Sequence, residues 1–136
     1  MAIKMQLEFD GFEKLISKIN KMGGDVKKTT EKALTETHKI VTEKAEIAIA
    51  PHRDTGRTER SLQRNAKIEW LNDVGSVEVG FNLKEGGLPS IFLMYGTPKM
   101  KKDQKLYDAF YGKATRNEII QVQQEIFFDE IRRLEA

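Results

Sequence analysis

The chain has no cysteine, so neither a disulfide framework nor a thiolate-ligated metal site is open to it, and folding in a reducing cytoplasm is the simplest expectation. It also lacks a long hydrophobic run. Nothing near the start has the apolar core of a signal peptide, and no stretch approaches the roughly 18 apolar residues needed to span a bilayer. Charge of one sign is missing too: 23 basic residues face 21 acidic ones, a net charge of +2 that gives no global pull towards nucleic acid or membrane. Residues 1–68 carry 14 basic against 10 acidic groups and residues 69–136 carry 9 against 11, a mild asymmetry between the halves. No internal repeat and no low-complexity tract is present. What remains is 136 residues, 39% hydrophobic and 32% charged, too apolar for a disordered chain and of a size that suits one domain spanning residues 1–136.

The stretch that organises the rest is AEIAIAPHRDTGRTERSL, residues 45–62. Pro51 lacks an N–H and its ring clashes inside a helix, so the helical pattern upstream must close near Ala50. Asp54, Thr55 and Gly56 then supply turn chemistry, and beyond them the apolar period shortens towards two. A helix hands over to a sheet here.

Upstream, Ile3, Met5, Leu7 and Phe9 alternate with polar residues and predict a short strand. Phe12, Leu15, Ile16, Ile19 and Met22 recur at three and four residues, an amphipathic helix ended by Gly23 and Gly24. Asp25 is the predicted N-cap of a second helix running to Ala50, roughly 35 to 40 Å long. Its apolar face holds Ala33, Ala45 and Ala48, which bury little area themselves but let a partner surface come close.

Downstream, Ala66, Ile68 and Trp70 and then Val77, Val79 and Phe81 predict a hairpin, with Trp70 in the core. Residues 82–90, NLKEGGLPS, read as a loop, and IFLMY after them fits either a buried strand or a helical turn. From Asp103 to Glu135 the helical period returns, with Gly112 as a break or kink. Adjacent Phe127 and Phe128 point about 100° apart on that helix, which predicts that one of them meets another chain.

One cluster contains the residue types of hydrolytic chemistry and two others are basic. His52, Asp54 and Ser61 could make a hydrolytic trio, but no nucleophile-elbow sequence surrounds Ser61, and turn and cap roles explain all three. His38 is the other histidine and has no carboxylates at ligand spacing. Arg53, Arg57, Arg60 and Arg64 would form one basic stripe if the segment is helical, and Lys99, Lys101, Lys102 and Lys105 form a second basic group. These clusters support an alternative reading, a small nucleic-acid-binding phage protein or toxin-type ribonuclease.

Taken together, the long helix ending in A-x-A-P, the DTG turn, R-x-x-R-S, the V-x-V-G-F strand and Y-G-T-P-K-M resemble the small neck or tail-component proteins of long-tailed bacteriophages and prophages, the head–tail joining or minor tail family. The likeness runs from Phe12 to about Leu134. Its motif falls on Pro51, Thr55, Gly56 and Ser61 in the first anchor and on Tyr95, Gly96, Thr97 and Lys99 in the second, with Thr58 standing where the family has leucine or methionine. The resemblance implies an α+β subunit, an antiparallel sheet with a long N-terminal helix and a C-terminal helix packed on it. It also implies a structural role without reaction, metal or cofactor. The implied partners are copies of the chain in a ring, six among the candidate numbers, and the phage connector, head-closure or tail-tube proteins, with DNA passing through the lumen. The implied location is the virion, after assembly in the bacterial cytoplasm. Heterologous ring contacts are expected at Arg57, Arg60, Gly86, Gly87, the G-T-P-K-M loop, Phe127 and Phe128.

Overall fold

A computed structural model of the chain describes residues 2–7, 11–52, 56–72 and 74–136. It begins with strand β1 (Ala2–Met5), helix α1 (Phe12–Lys21) and helix α2 (Val26–Ile49), which runs on into a 3-10 turn at Ala50–His52. Helix α3 (Arg57–Arg60), strands β2 (Ile68–Leu71) and β3 (Val74–Gly80), and a second 3-10 turn at Leu83–Glu85 follow. Helices α4 (Pro89–Tyr95), α5 (Gln104–Tyr111) and α6 (Lys113–Glu135) complete the chain.

The fold is α+β, as the pattern predicts. Asp25 caps α2, its carboxylate accepting from the Lys28 amide at 3.0 Å. The helix closes at the proline by tightening into 3-10 geometry, the usual way a helix end satisfies its last carbonyls. The sheet is antiparallel in the order β1-β3-β2. Ile3 lies opposite Val79 and Met5 opposite Val77, while Trp70 faces Gly75, so the apolar members share the face turned towards α2. Gly75 is needed for that closeness: a Cβ there would stand 3.1 Å from both the Leu34 side chain and the Trp70 ring. Trp70 is half-buried at the sheet margin rather than fully enclosed; its indole N–H donates to Glu31 Oε2 at 3.3 Å and Lys27 lies over its ring.

The alanines of α2 act as spacers on two sides. Ala45 and Ala48 lie in one cluster with Val79 and Phe81 of the sheet side, Met94 of α4 and Leu106 and Phe110 of α5. Ala33 lies in a second cluster with Phe12 and Ile19 of α1 and Phe127 and Ile131 of α6. Each such large side chain contributes about 1.5 to 3 kcal/mol on burial. The two clusters are joined along α2 by a buried polar contact in which Gln123 Nε2 donates to Thr37 Oγ1 at 2.9 Å. Thr37 has already given its own proton to the Ala33 carbonyl, so it can only accept, which fixes the orientation of the Gln123 amide.

Several expectations are corrected. The stretch 82–90 is not simply a loop: Asn82 caps the 3-10 turn through its side chain, and Pro89 starts α4 at the first helical position, where a missing N–H costs nothing. IFLMY is thereby helix, not strand. The arginine stripe does not form, because Ser61 ends α3 after one turn; Arg64 lies beyond it and pairs with Glu46 of α2 at 3.1 Å. Phe127 is not a subunit contact. It is fully buried, its ring edge-to-face with Phe12 at a centroid distance of 4.9 Å, and only Phe128 is presented outside, 45% exposed. Arg53, Asp54 and Thr55 lie outside the described residues, as do Glu8 and Phe9 at the far end of the predicted first strand, which is seen at Ala2–Met5.

Candidate functional site

The two anchor segments come together around α4. On one side, α3 docks on the glycine turn: Thr58 Oγ1 donates to the Gly86 carbonyl at 2.9 Å, and the Arg57 side chain lies so near that a Cβ on Gly86 would be 2.4 Å from its Cγ. Gly86 also holds φ of 104°, so glycine is demanded there twice over. Gly87 is equally tight, with space for a Cβ closed by the Asn82 carbonyl oxygen at 2.6 Å. Gly56 precedes α3 at φ 78° beneath the Arg60 guanidinium. Arg57 and Arg60 are both exposed at this edge.

Ser61 closes α3. Its hydroxyl donates to the Thr58 carbonyl at 2.6 Å, and its own carbonyl accepts from the Asn82 amide at 2.8 Å, tying α3 to the end of β3. The side chain is buried, so Ser61 is not presented as a nucleophile. His52 does not turn towards Ser61 either; its Nε2 bonds to Asp103 Oδ2, 51 residues away.

On the other side, α4 ends at Gly96, which leaves the helix with φ 76° and ψ 176°. A Cβ there would stand 2.9 Å from both the Met100 carbonyl oxygen and the Lys102 nitrogen. That close approach lets Thr97 and Met100 pair through two main-chain hydrogen bonds of 2.8 and 3.1 Å, while Thr97 Oγ1 accepts from the Lys99 amide. Lys99 itself points into solvent, and Pro51, in the 3-10 turn, is exposed as well.

Asp103 is the clamp. Its amide donates to the Leu93 carbonyl at 2.6 Å, one carboxylate oxygen caps α5 by accepting from the Leu106 amide at 3.1 Å, and the other meets His52. Burial opposes its ionisation, but hydrogen bonds from His52, Leu106 and Lys105, with the attraction of His52, outweigh this and hold the carboxyl below its usual range. Between the clamp and the glycine turn lies a cleft of about 510 Å³, lined by Ile49, His52, Arg57, Thr58, Lys84 and Leu88 among others.

Held at both ends, α4 turns Ser90 and Met94 inward and leaves Leu88, Phe92 and Tyr95 outside at 52%, 47% and 47% exposure. Those positions are four and three residues apart and share one side of the helix. Met100 and Tyr111 extend the exposed apolar surface on the α4–α5 side. Tyr95, Tyr107 and Tyr111 gather here, with the Tyr95 and Tyr111 hydroxyls 3.2 Å apart. Partial burial and that hydrogen bond, with repulsion from the neighbouring phenols, push the Tyr111 hydroxyl up to about 12.

Sequence reasoning placed the two glycine anchors but missed the His52–Asp103 bond and the gathering of the tyrosines. Tyr107 and Tyr111, four apart on a predicted helix, carried a spacing signal for the second; nothing local carried one for the first. Among the described residues no group of three or more His, Cys, Asp or Glu is placed to hold a metal ion, and no helix is long and apolar enough to cross a membrane. Comparisons with families of proteins, with curated proteins and with solved structures give no match to this chain.

Proposed function

We propose that this chain is a structural subunit of the head–tail junction of a bacteriophage or prophage, a neck or tail-completion component that resides in the virion. It works by binding copies of itself and the connector, head-closure or tail-tube proteins beside it. The observation that carries this reading is the face of α4. Leu88, Phe92 and Tyr95 are exposed in a row, on a helix fastened upstream by the Gly86–Gly87 turn and downstream by Asp103. Grouped exposed apolar residues on a rigid element are what a protein contact needs, because little conformational entropy is lost when the partner arrives.

Ring closure joins two different patches. Phe128 supplies the second, exposed on α6 between Glu125 and Asp129, on the opposite chain half from the Arg57 and Arg60 edge. The motif residues hold bends in this scheme: Gly56 and Gly96 make close approaches possible, and Ser61 and Thr97 bind main chain.

The test is made in the genome that carries this chain. Phe92→Asp should fold, since Phe92 is exposed, yet electron microscopy of induced particles should find filled heads and free tails that do not join. Joined, infectious particles made without this chain would overturn the reading.

A further inference from the structure

All three tyrosines of the chain converge on the α4–α5 corner, beside four of its lysines. Tyr95 packs edge-to-face on Tyr107 with ring centroids 6.1 Å apart, and Tyr107 and Tyr111 are 5.0 Å apart. Tyr95 and Tyr111 remain close to half exposed. Buried tyrosines satisfy a core; exposed ones in a cluster offer ring faces and hydroxyls to something outside.

The intervening segment is basic. Lys99, Lys101, Lys102 and Lys105 all reach solvent, and Lys102 Nζ lies 4.1 Å from the Tyr107 ring centroid. Among the described residues none of the four is in an ion pair. The two carboxylates of the segment are occupied, Asp103 by His52 and the Leu106 amide and Asp108 by Gln104 Nε2 at 2.7 Å. Gly96 draws the main chain of Lys101 and Lys102 in against the end of α4, beside the ring of Tyr107 over which the Lys102 ammonium lies.

We propose that this corner binds single-stranded nucleic acid, Tyr95 and Tyr111 giving stacking surfaces to bases and Lys99, Lys101, Lys102 and Lys105 neutralising the phosphates between them. Exposed rings beside cations that have no ion pair among the described residues are complementary to a chain of bases and phosphates. An acidic protein partner would also use the lysines, and the polyglutamate arm of the test below measures that. The duplex would likewise use the lysines alone, since its bases are already stacked. Tyr95 also belongs to the α4 face of the assembly reading, and binding measured on the purified chain tests this corner separately from the assembled particle.

The experiment is fluorescence anisotropy of the full chain with a labelled single-stranded DNA oligonucleotide, its duplex, and polyglutamate, across salt concentration. The single strand should bind most tightly, with log K falling on log salt at about −0.7 per phosphate engaged, near −3 for four lysines. Lys101→Gln with Lys102→Gln should flatten that slope by about 1.4. Tyr111→Ala should weaken binding about tenfold, the effect of losing one stacked base, while Tyr111→Phe, which keeps the ring, should stay within about twofold. Circular dichroism checks that each variant is folded. Equal or tighter binding of duplex or polyglutamate, an unchanged affinity in folded Tyr111→Ala, or no binding at low salt would each overturn the proposal.

Discussion

Phe127 and Phe128 are neighbours in sequence with opposite fates, and replacing each by alanine separates core from contact surface. Phe127 is fully enclosed in a cluster with Phe12, Ile19, Ala33 and Ile131, and its truncation leaves a cavity bordered by α1 and α2. A buried Phe→Ala change costs about 3 to 5 kcal/mol. With an unfolding entropy near 2.1 cal/mol/K per residue, a chain of 136 residues loses about 10 to 17 °C in Tm for that cost. Phe128→Ala, at a half-exposed site, should stay within about 0.5 kcal/mol of the parent. Urea and thermal unfolding followed by circular dichroism read both values. Should Phe127→Ala leave too little folded protein, Phe127→Leu removes fewer atoms and should cost roughly 1 to 2 kcal/mol. A double-mutant cycle with Phe12→Leu should return a coupling of about 0.5 to 1.5 kcal/mol for the edge-to-face pair. Equal losses for folded Phe127→Ala and Phe128→Ala would refute the packing argument.

Three other outcomes follow from buried or crowded positions. His38 is buried with Nε2 unpartnered among the described residues, and desolvation, opposed by the Gln63 main chain, lowers its pKa below 6.5. The unfolded chain therefore binds a proton that the folded one refuses, so stability should fall as pH drops through about 6.5, and subtracting the pH–stability curve of His38→Leu should isolate that loss. Gln123 Oε1 is also buried without a partner among the described residues, so Gln123→Met should be neutral within about 1 kcal/mol or stabilising by denaturant titration; a loss above 2 kcal/mol would show that the Thr37 contact outweighs the orphaned oxygen. Gly87→Ala drives a Cβ against the Asn82 carbonyl and should cost about 1 to 3 kcal/mol by the same titration, whereas a neutral result would mean that the turn relaxes freely.

Much of this fold was legible because its determinants are local. Asp25 reads as a cap from its place before an amphipathic run, Pro51 as a stop from its ring, and the β2–β3 hairpin from period two. The stretch 82–90 was misread because its glycines and proline suggest punctuation, and only Asn82 and Pro89, at the exact start positions of helical turns, reveal that the punctuation is also a beginning. The anchor glycines were found as turns, but part of their need for glycine lies in what approaches them, the Arg60 guanidinium at Gly56 and the Lys102 main chain at Gly96, which no local rule contains.

The sequence by itself determined the first strand, the long helix with its cap and stop, the hairpin, the C-terminal helical stretch and the absence of cysteine chemistry, since each depends on residues within a turn or two of one another. Only the tertiary structure decided which of two adjacent phenylalanines is enclosed, that His52 meets Asp103 instead of Ser61, and that three tyrosines separated along the chain share one corner. The reason is distance: periodicity says which face of a helix is apolar, but the rotation that sets Phe127 inside and Phe128 outside comes from α1 and α2 arriving on one side of α6, a contact between segments about a hundred residues apart.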